Sequence, residues 1–166
     1  DGNGRTGRIL NVLYLVLKDI LNSPILYLSK YIIENKSRYY SLFQEVRENN
    51  SWDQWIIYFL KALEETAAAS LNVLKEINLL IEETAVEMQQ KAPKIYSREL
   101  LDLLFIEFYT KISYIQEGLG VTRKTASNYL STLESKGFLS SEKIGREKIY
   151  KNIRLFELIK KMNQKY

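Results

Sequence analysis

The residues with the most chemical content are the first eight, Asp1-Gly2-Asn3-Gly4-Arg5-Thr6-Gly7-Arg8. Three glycines ahead of an apolar run describe a turn that hands free backbone amides to a helix N-terminus, and such a place attracts anions, phosphate above all. Arg5 and Arg8 are three residues apart, so they share one side of the first turn and can hold one polyphosphate between them. Asp1 is placed to hold a divalent cation bridging the same phosphates. Other readings compete. Gly2, Gly4 and Gly7 satisfy G-x-G-x-x-G, but no βαβ unit can be read around them. A P-loop fails where Arg8-Ile9 replaces Lys-Ser/Thr, and a calcium loop fails where Arg5 takes a position that needs Asp or Asn. A plain Asn-Gly turn entering a helix is the reading without function.

A second set lies far along the chain. In the stretch Thr122 to Lys136, Ala126, Tyr129, Leu130 and Leu133 recur at i, i+3, i+4 and i+7, a buried stripe. The opposite face then carries Arg123, Lys124, Ser127, Asn128 and Ser131. Cations for phosphates, with amide and hydroxyl groups for base edges, are what a helix in a major groove uses. Thr122 can cap this helix, and Lys143, Arg146 and Lys148 follow on a hairpin that extends the same basic surface.

Composition narrows the chemistry. The 166 residues contain no cysteine and no histidine, which excludes disulfides, thiolate and imidazole metal sites, and a histidine base within them. Residues 1–93 hold 10 basic and 12 acidic side chains, and residues 94–166 hold 14 and 8, so net charges of −2 and +6 stand behind the total of +4. A basic half after a near-neutral one suggests an anionic partner, although a lysine-rich solvated surface has the same composition. The most apolar run, Ile9 to Leu17, is too short to span a bilayer, and the charged, glycine-rich opening does not resemble a signal peptide. A cytoplasmic protein that does not engage membranes is expected.

Apolar residues fill nearly every position from Arg8 to Leu21, which predicts a helix buried on all sides and ended by Asn22-Ser23-Pro24. A second helix is expected over Ser29 to Glu48, closed by Asn49-Asn50. Ser51-Trp52-Asp53-Gln54 reads as a capping box opening a helix that runs to about Gln90, stopped by Lys91-Ala92-Pro93. Beyond Pro93 the pattern predicts a helix over Ser97 to Tyr109 and a short one capped by Ser113 with Gln116. Next come a turn at Gly118-Leu119-Gly120 and the helix Thr122 to Lys136, closed by Gly137. Strands Phe138 to Ser140 and Lys148 to Tyr150 follow around Ile144-Gly145-Arg146, then a helix over Arg154 to Met162.

The run Asp1-Gly2-Asn3-Gly4-Arg5-x-x-Arg8 resembles the end of the motif H-x-F-x-[DE]-G-N-G-R-x-x-R of the Fic family of protein adenylyltransferases. The resemblance continues in order through Pro24-Ile25-Leu26-Tyr27-Leu28-Ser29, Tyr39-Tyr40, Val46-Arg47, Trp52-x-x-Trp55-Ile56 and Phe59-Leu60, over about the first 70 residues. It implies transfer of AMP from ATP to a hydroxyl of a target protein. Magnesium would be held by Asp1, and the phosphates by the amides of Gly2, Asn3 and Gly4 and by Arg5 and Arg8. The family's catalytic histidine stands four residues ahead of the place Asp1 would occupy. No histidine occurs in this sequence, so the resemblance implies half a site and no AMP transfer by these residues alone.

The second half resembles a winged helix-turn-helix, through Gly120-Val121-Thr122-Arg123-Lys124-Thr125-Ala126, Lys136-Gly137-Phe138-Leu139 and Gly145-Arg146-Glu147-Lys148-Ile149-Tyr150. That implies duplex DNA as a partner, read by Thr122, Arg123, Lys124, Ser127, Asn128, Arg146 and Lys148; winged helices that bind protein instead are also common. The expectation is a mainly α chain. Residues 1–91 form the helical C-terminal part of a Fic domain, 92–96 a linker, and 97–166 a winged-helix domain with a small hairpin. Partners would be a target protein with a modifiable hydroxyl, duplex DNA and a second copy of the chain. The competing function is a DNA-binding transcriptional regulator whose Fic portion serves as sensor or dimerisation module.

Overall fold

Only two prolines occur, Pro24 and Pro93, and helices fill almost everything between them. The structure, a computed structural model, describes residues 3–145 and 147–164. Its elements run α1 (Asn3–Leu17), α2 (Leu28–Glu34), α3 (Lys36–Asn49), α4 (Asp53–Lys91), α5 (Arg98–Ile106), β1 (Tyr109–Thr110), α6 (Ile112–Leu119), α7 (Arg123–Ser135), β2 (Leu139–Ile144), β3 (Glu147–Asn152) and α8 (Ile153–Gln164). The chain is mainly α, as expected, with one small antiparallel sheet. Two compact units divide it, residues 1–72 and 73–166, and the division falls inside α4. The stretch 92–96 joins α4 to α5 within the second unit.

In the first unit, Val12 of α1, Leu28 of α2 and Ala62 of α4 form a small core, with Leu21, Tyr31, Phe59 and Leu63 against it. Beside it, Tyr39, Phe43, Trp55 and Tyr58 stack or meet edge to face at centroid distances of 5.1–6.3 Å. The Tyr58 hydroxyl is buried without a partner, and burial, aided by Tyr31 and Tyr39, pushes its pKa up to about 12.

Three sequence expectations fail in this unit. The helix over Arg8 to Leu21 is not buried on all sides. Val12 alone among its described residues is buried, and Ile9, Leu10, Leu13, Tyr14 and Leu17 are exposed. It also starts at Asn3 and stops at Leu17, because Asp19 takes a left-handed conformation (φ 55°). The amides of Asp19 and Ile20 then bond back to the carbonyls of Val16 and Leu15, a Schellman closure with aspartate where glycine usually stands. The helix over Ser29 to Glu48 is broken at Asn35. Its side-chain amide donates to the Tyr31 carbonyl at 2.9 Å, as does its backbone N–H, a local bond that competes with helix continuation. α4 begins at Asp53, and Trp52 rather than Ser51 takes the cap position ahead of it, since the Trp52 carbonyl accepts from Ile56 N–H at 2.9 Å.

The second unit has the larger core. Ala85 and Met88 from the end of α4 join Leu100, Leu101 and Leu104 of α5, Ile115 of α6, Ala126, Leu130 and Leu133 of α7, and Phe138, Leu139 and Tyr150. The predicted stripe on α7 is therefore core, except that Tyr129 is half-buried at its edge. Gly137 (φ 83°) closes α7, with Phe138 N–H on the Leu133 carbonyl at 3.0 Å. The sheet has the order β1-β3-β2, with Leu139 opposite Asn152 and Ile144 opposite Glu147. Both hairpin strands outrun the predicted three-residue strands. The sequence reading also missed β1. The helix expected to reach Tyr109 ends at Ile106, since Glu107 is already extended (φ −137°, ψ 166°), and Tyr109-Thr110 pairs with β3. Ser113 lies within α6, whose N-cap is Lys111, and Gly118 lies within it too; the left-handed turn is at Gly120 (φ 64°).

Asn152 is buried and holds three elements together. Its Nδ2 donates to the Leu104 carbonyl of α5 at 3.1 Å, one of the carbonyls a helix end leaves unpaired. Its Oδ1 accepts from Leu155 N–H at 3.1 Å and so caps α8, while its backbone N–H reaches the Phe108 carbonyl at 2.9 Å. Arg154 then ties α8 to Glu83 and Glu87 of α4, and Arg98 ties α5 to Glu82. Replacing Asn152 with alanine strands a buried carbonyl and removes a helix cap. The expected cost is about 2–4 kcal/mol, read as faster native-state hydrogen exchange at the core amides of α7; unchanged protection there would show that Asn152 is not the anchor.

Candidate functional site

Asn3, Gly4 and Arg5 form the first turn of α1. The expected glycine-rich turn is thus already helix from Asn3 onward, and Gly4 and Gly7 have no left-handed conformation to explain them. The unpaired amides of a helix start remain available there all the same. Asp1 and Gly2, expected to hold metal and phosphate, lie outside the described residues.

Arg5 and Arg8 come together as their spacing requires. Both line a groove of about 330 Å³ whose other walls are Ile9, Val12 and Leu13 of α1 and Pro24, Leu26, Tyr27, Leu28 and Ser29 of the following segment. Arg8 is half-buried, and its Nε is fully buried with no hydrogen-bond partner. A buried guanidinium N–H without an acceptor is costly, roughly 1–3 kcal/mol or more for a charged group, and an anion in the groove would relieve it. The segment from Pro24 to Ser29, which the sequence did not connect with the arginines, is therefore the second wall of this groove. Its own signal was the proline that turns the chain back after an apolar helix. No carboxylate lines the groove among the described residues.

On α7 the Thr122 hydroxyl caps the helix, accepting from Thr125 N–H at 3.2 Å. Arg123, Lys124, Asn128 and Ser131 are exposed, and Ser127 is half-buried. Neither Arg123 nor Lys124 has an ion-pair partner among the described residues. Lys148 is different. Its Nζ sits 2.9 Å from Glu134 Oε2 and lies 4.7 Å from the centroid of the Tyr150 ring. Glu134 also accepts from the Ser141 hydroxyl, so one carboxylate at the end of α7 pins both strands of the hairpin. Lys151 is matched by Glu142 and Lys111 by Glu147. Of the predicted hairpin cations, Lys143 stays exposed and Arg146 lies outside the described residues.

With the geometry of both surfaces described, the similarity to known proteins can be stated. Residues 80–155, a little under half of the chain, match the family model described as protein adenylyltransferase SoFic-like, C-terminal domain. The match lies beyond the first 70 residues, over which the sequence resembles a Fic domain. It begins inside α4, where Ala85 and Met88 enter the second core. Among the described residues no helix is long and apolar enough to cross a membrane, and no cluster of three or more acidic side chains could hold a metal ion.

The Ser141 hydroxyl, and then the Lys148 ammonium, hold the Glu134 carboxyl below the usual glutamate range. A carboxylate favoured in the folded state stabilises above its unfolded pKa, and that contribution is lost as pH falls through the lowered folded value. Carbon-detected NMR should find Glu134 titrating below the usual glutamate range, and Glu134→Gln should loosen the hairpin amides at neutral pH. A Glu134 that titrates in the usual range would mean that it does not tether the hairpin.

Proposed function

We propose that the start of α1 and its groove hold the triphosphate of ATP, as the phosphate-binding side of a Fic-type protein adenylyltransferase that transfers AMP to a hydroxyl of a target protein. The observation that carries this is the buried, unpartnered Nε of Arg8 beside Arg5. The first-turn amides of Asn3 and Gly4 add the positive end of a helix to two guanidinium groups, a combination suited to a polyphosphate. Magnesium would neutralise phosphate charge next to Asp1. The residues described here account for binding and for charge stabilisation; the proton of the target hydroxyl needs a base, and the 166 residues hold no histidine to take it. Arg8→Ala should weaken ATP binding about tenfold or more, as expected for a charge-assisted contact of roughly 1.5–3 kcal/mol. Calorimetry on the chain and its variant measures this, and equal affinities would remove Arg8 from the site.

A second reading concerns residues 97–166, for which we propose a winged-helix domain that binds duplex DNA through α7. It is favoured by the exposed, unpaired Arg123 and Lys124 in the first turn and by the exposed Asn128 one turn on. The order helix, strand, helix, helix and then two strands that complete a three-stranded antiparallel sheet suits it as well. Arg123 and Lys124 would contact phosphate, where the helix dipole already favours it, and Asn128 a base edge, best an adenine. Lys148, held by Glu134, fits the role of a phosphate contact less well than the sequence implied. Arg123→Ala should lower the salt dependence of binding by about one unit on every duplex, and Asn128→Ala should reduce sequence preference. Titrations of the full chain on random and selected duplexes at several salt concentrations would test both; absence of binding at low salt would leave this surface to protein partners.

A further inference from the structure

The sheet of the second unit has an open edge at β1, and an apolar groove lies along it. Because Asn152 N–H bonds to the Phe108 carbonyl, Tyr109 occupies the non-hydrogen-bonded position opposite Lys151. In antiparallel pairing such a residue turns its own N–H and C=O away from the partner strand. Those of Tyr109 therefore face outward from β3, on an edge that β1 shares with no further strand among the described residues. The chain is already extended at Glu107, so the open edge is longer than the two paired residues.

The groove beside it, about 490 Å³, is lined by Leu103 and Ile106 of α5, by Glu107, Tyr109 and Thr110, and by Tyr114, Glu117 and Gly118 of α6. Its floor is close-packed. A Cβ on Gly118 would come within 2.6 Å of Leu103 Cδ1, so the bare helix backbone is what lets Leu103 lie there. Its walls are unusually apolar for a surface: Ile106 is 70% exposed, Tyr114 42% and Tyr109 40%. Its charge is negative, against the basic balance of residues 94–166. Glu107 and Glu117 have no ion-pair partner among the described residues, while Lys111 and Lys151, close to this edge, are already taken by Glu147 and Glu142.

We propose that this edge and groove bind an extended peptide segment, added to the sheet as a strand beside β1. One apolar side chain of the segment would enter between Ile106, Tyr109 and Tyr114, with a lysine or arginine two positions to either side, on the same face of the strand. The outward N–H and C=O of Tyr109 supply main-chain bonds, the groove supplies side-chain preference, and Glu107 and Glu117 select basic flanks. This surface is separate from the arginine pair of α1 and from the exposed face of α7, so it stands or falls independently of the functions proposed for them.

The test uses the full chain and a capped, fluorescent peptide Thr-Lys-Thr-Leu-Thr-Lys-Thr, which puts its leucine and both lysines on one strand face, followed by anisotropy and by amide chemical shifts. Saturable binding is expected, with shifts centred on residues 106–117 and an affinity that falls as salt rises. The double variant Glu107→Lys, Glu117→Lys, altered only at exposed side chains, should bind at least tenfold more weakly with an otherwise unchanged amide spectrum. A peptide with glutamate in place of lysine should bind at least tenfold more weakly too. N-methylation of the peptide backbone should have the same effect, since it removes the donors that a strand needs. No saturable binding, shifts centred elsewhere, or equal affinity in any one of the three controls would overturn the proposal.

Discussion

A single buried amide holds the architecture of the second unit. Asn152 cannot be left in a protein interior with its polar atoms unpaired, and it spends them on three different elements: a carbonyl at the end of α5, the backbone leading into β1, and the first turn of α8. That fixes where β3 ends, where α8 begins and how closely α5 approaches the sheet. The open edge at β1 and the direction of Tyr109 follow from the same bond to Phe108. The apolar core supplies most of the stabilisation, but apolar contact alone would leave these ends free to slide.

Two groups stand out among the charged side chains. One group stitches the structure together: Arg98 and Arg154 with the glutamates of α4, Lys148 with Glu134, Lys151 with Glu142 and Lys111 with Glu147. The other group, Arg5 and Arg8 on α1 and Arg123 and Lys124 on α7, has no ion-pair partner among the described residues. Exposed pairs contribute little to stability, so the pairing matters less for energy than for what it leaves over. Cations already matched by the protein's own carboxylates are poor candidates for binding an external anion; Arg5, Arg8, Arg123 and Lys124 are not matched in this way.

Much of this was legible in the sequence, and the failures have physical causes. Helix periodicity located α7, because a stripe of apolar residues every three to four positions has few other uses, and the proline after Lys91-Ala92 marked the end of α4. Thr122 and Gly137 announced the ends of α7 through side-chain and backbone chemistry that is local. The break at Asn35 and the stop at Asp19 were missed because each depends on a residue doing what asparagine and aspartate do only sometimes. β1 was missed because two residues carry no periodicity; only their pairing with a strand some 40 residues later makes them a strand. The spacing of Arg5 and Arg8 was readable, but the second wall of their groove, Pro24 to Ser29, depends on tertiary packing. Glu134 was invisible for a similar reason: its role as a tether exists only once the hairpin has folded back onto α7.

Both tryptophans, Trp52 and Trp55, lie in the first unit, and Trp55 sits in the aromatic cluster with Tyr39, Phe43 and Tyr58. The second unit has tyrosines and phenylalanines but no indole. Emission excited selectively in the indole band therefore originates wholly within residues 1–72. The chain carries its own optical label for one of its halves, while far-ultraviolet dichroism and amide exchange see both. Events that leave the surroundings of Trp52 and Trp55 unchanged are dark to the indoles and visible to the other two.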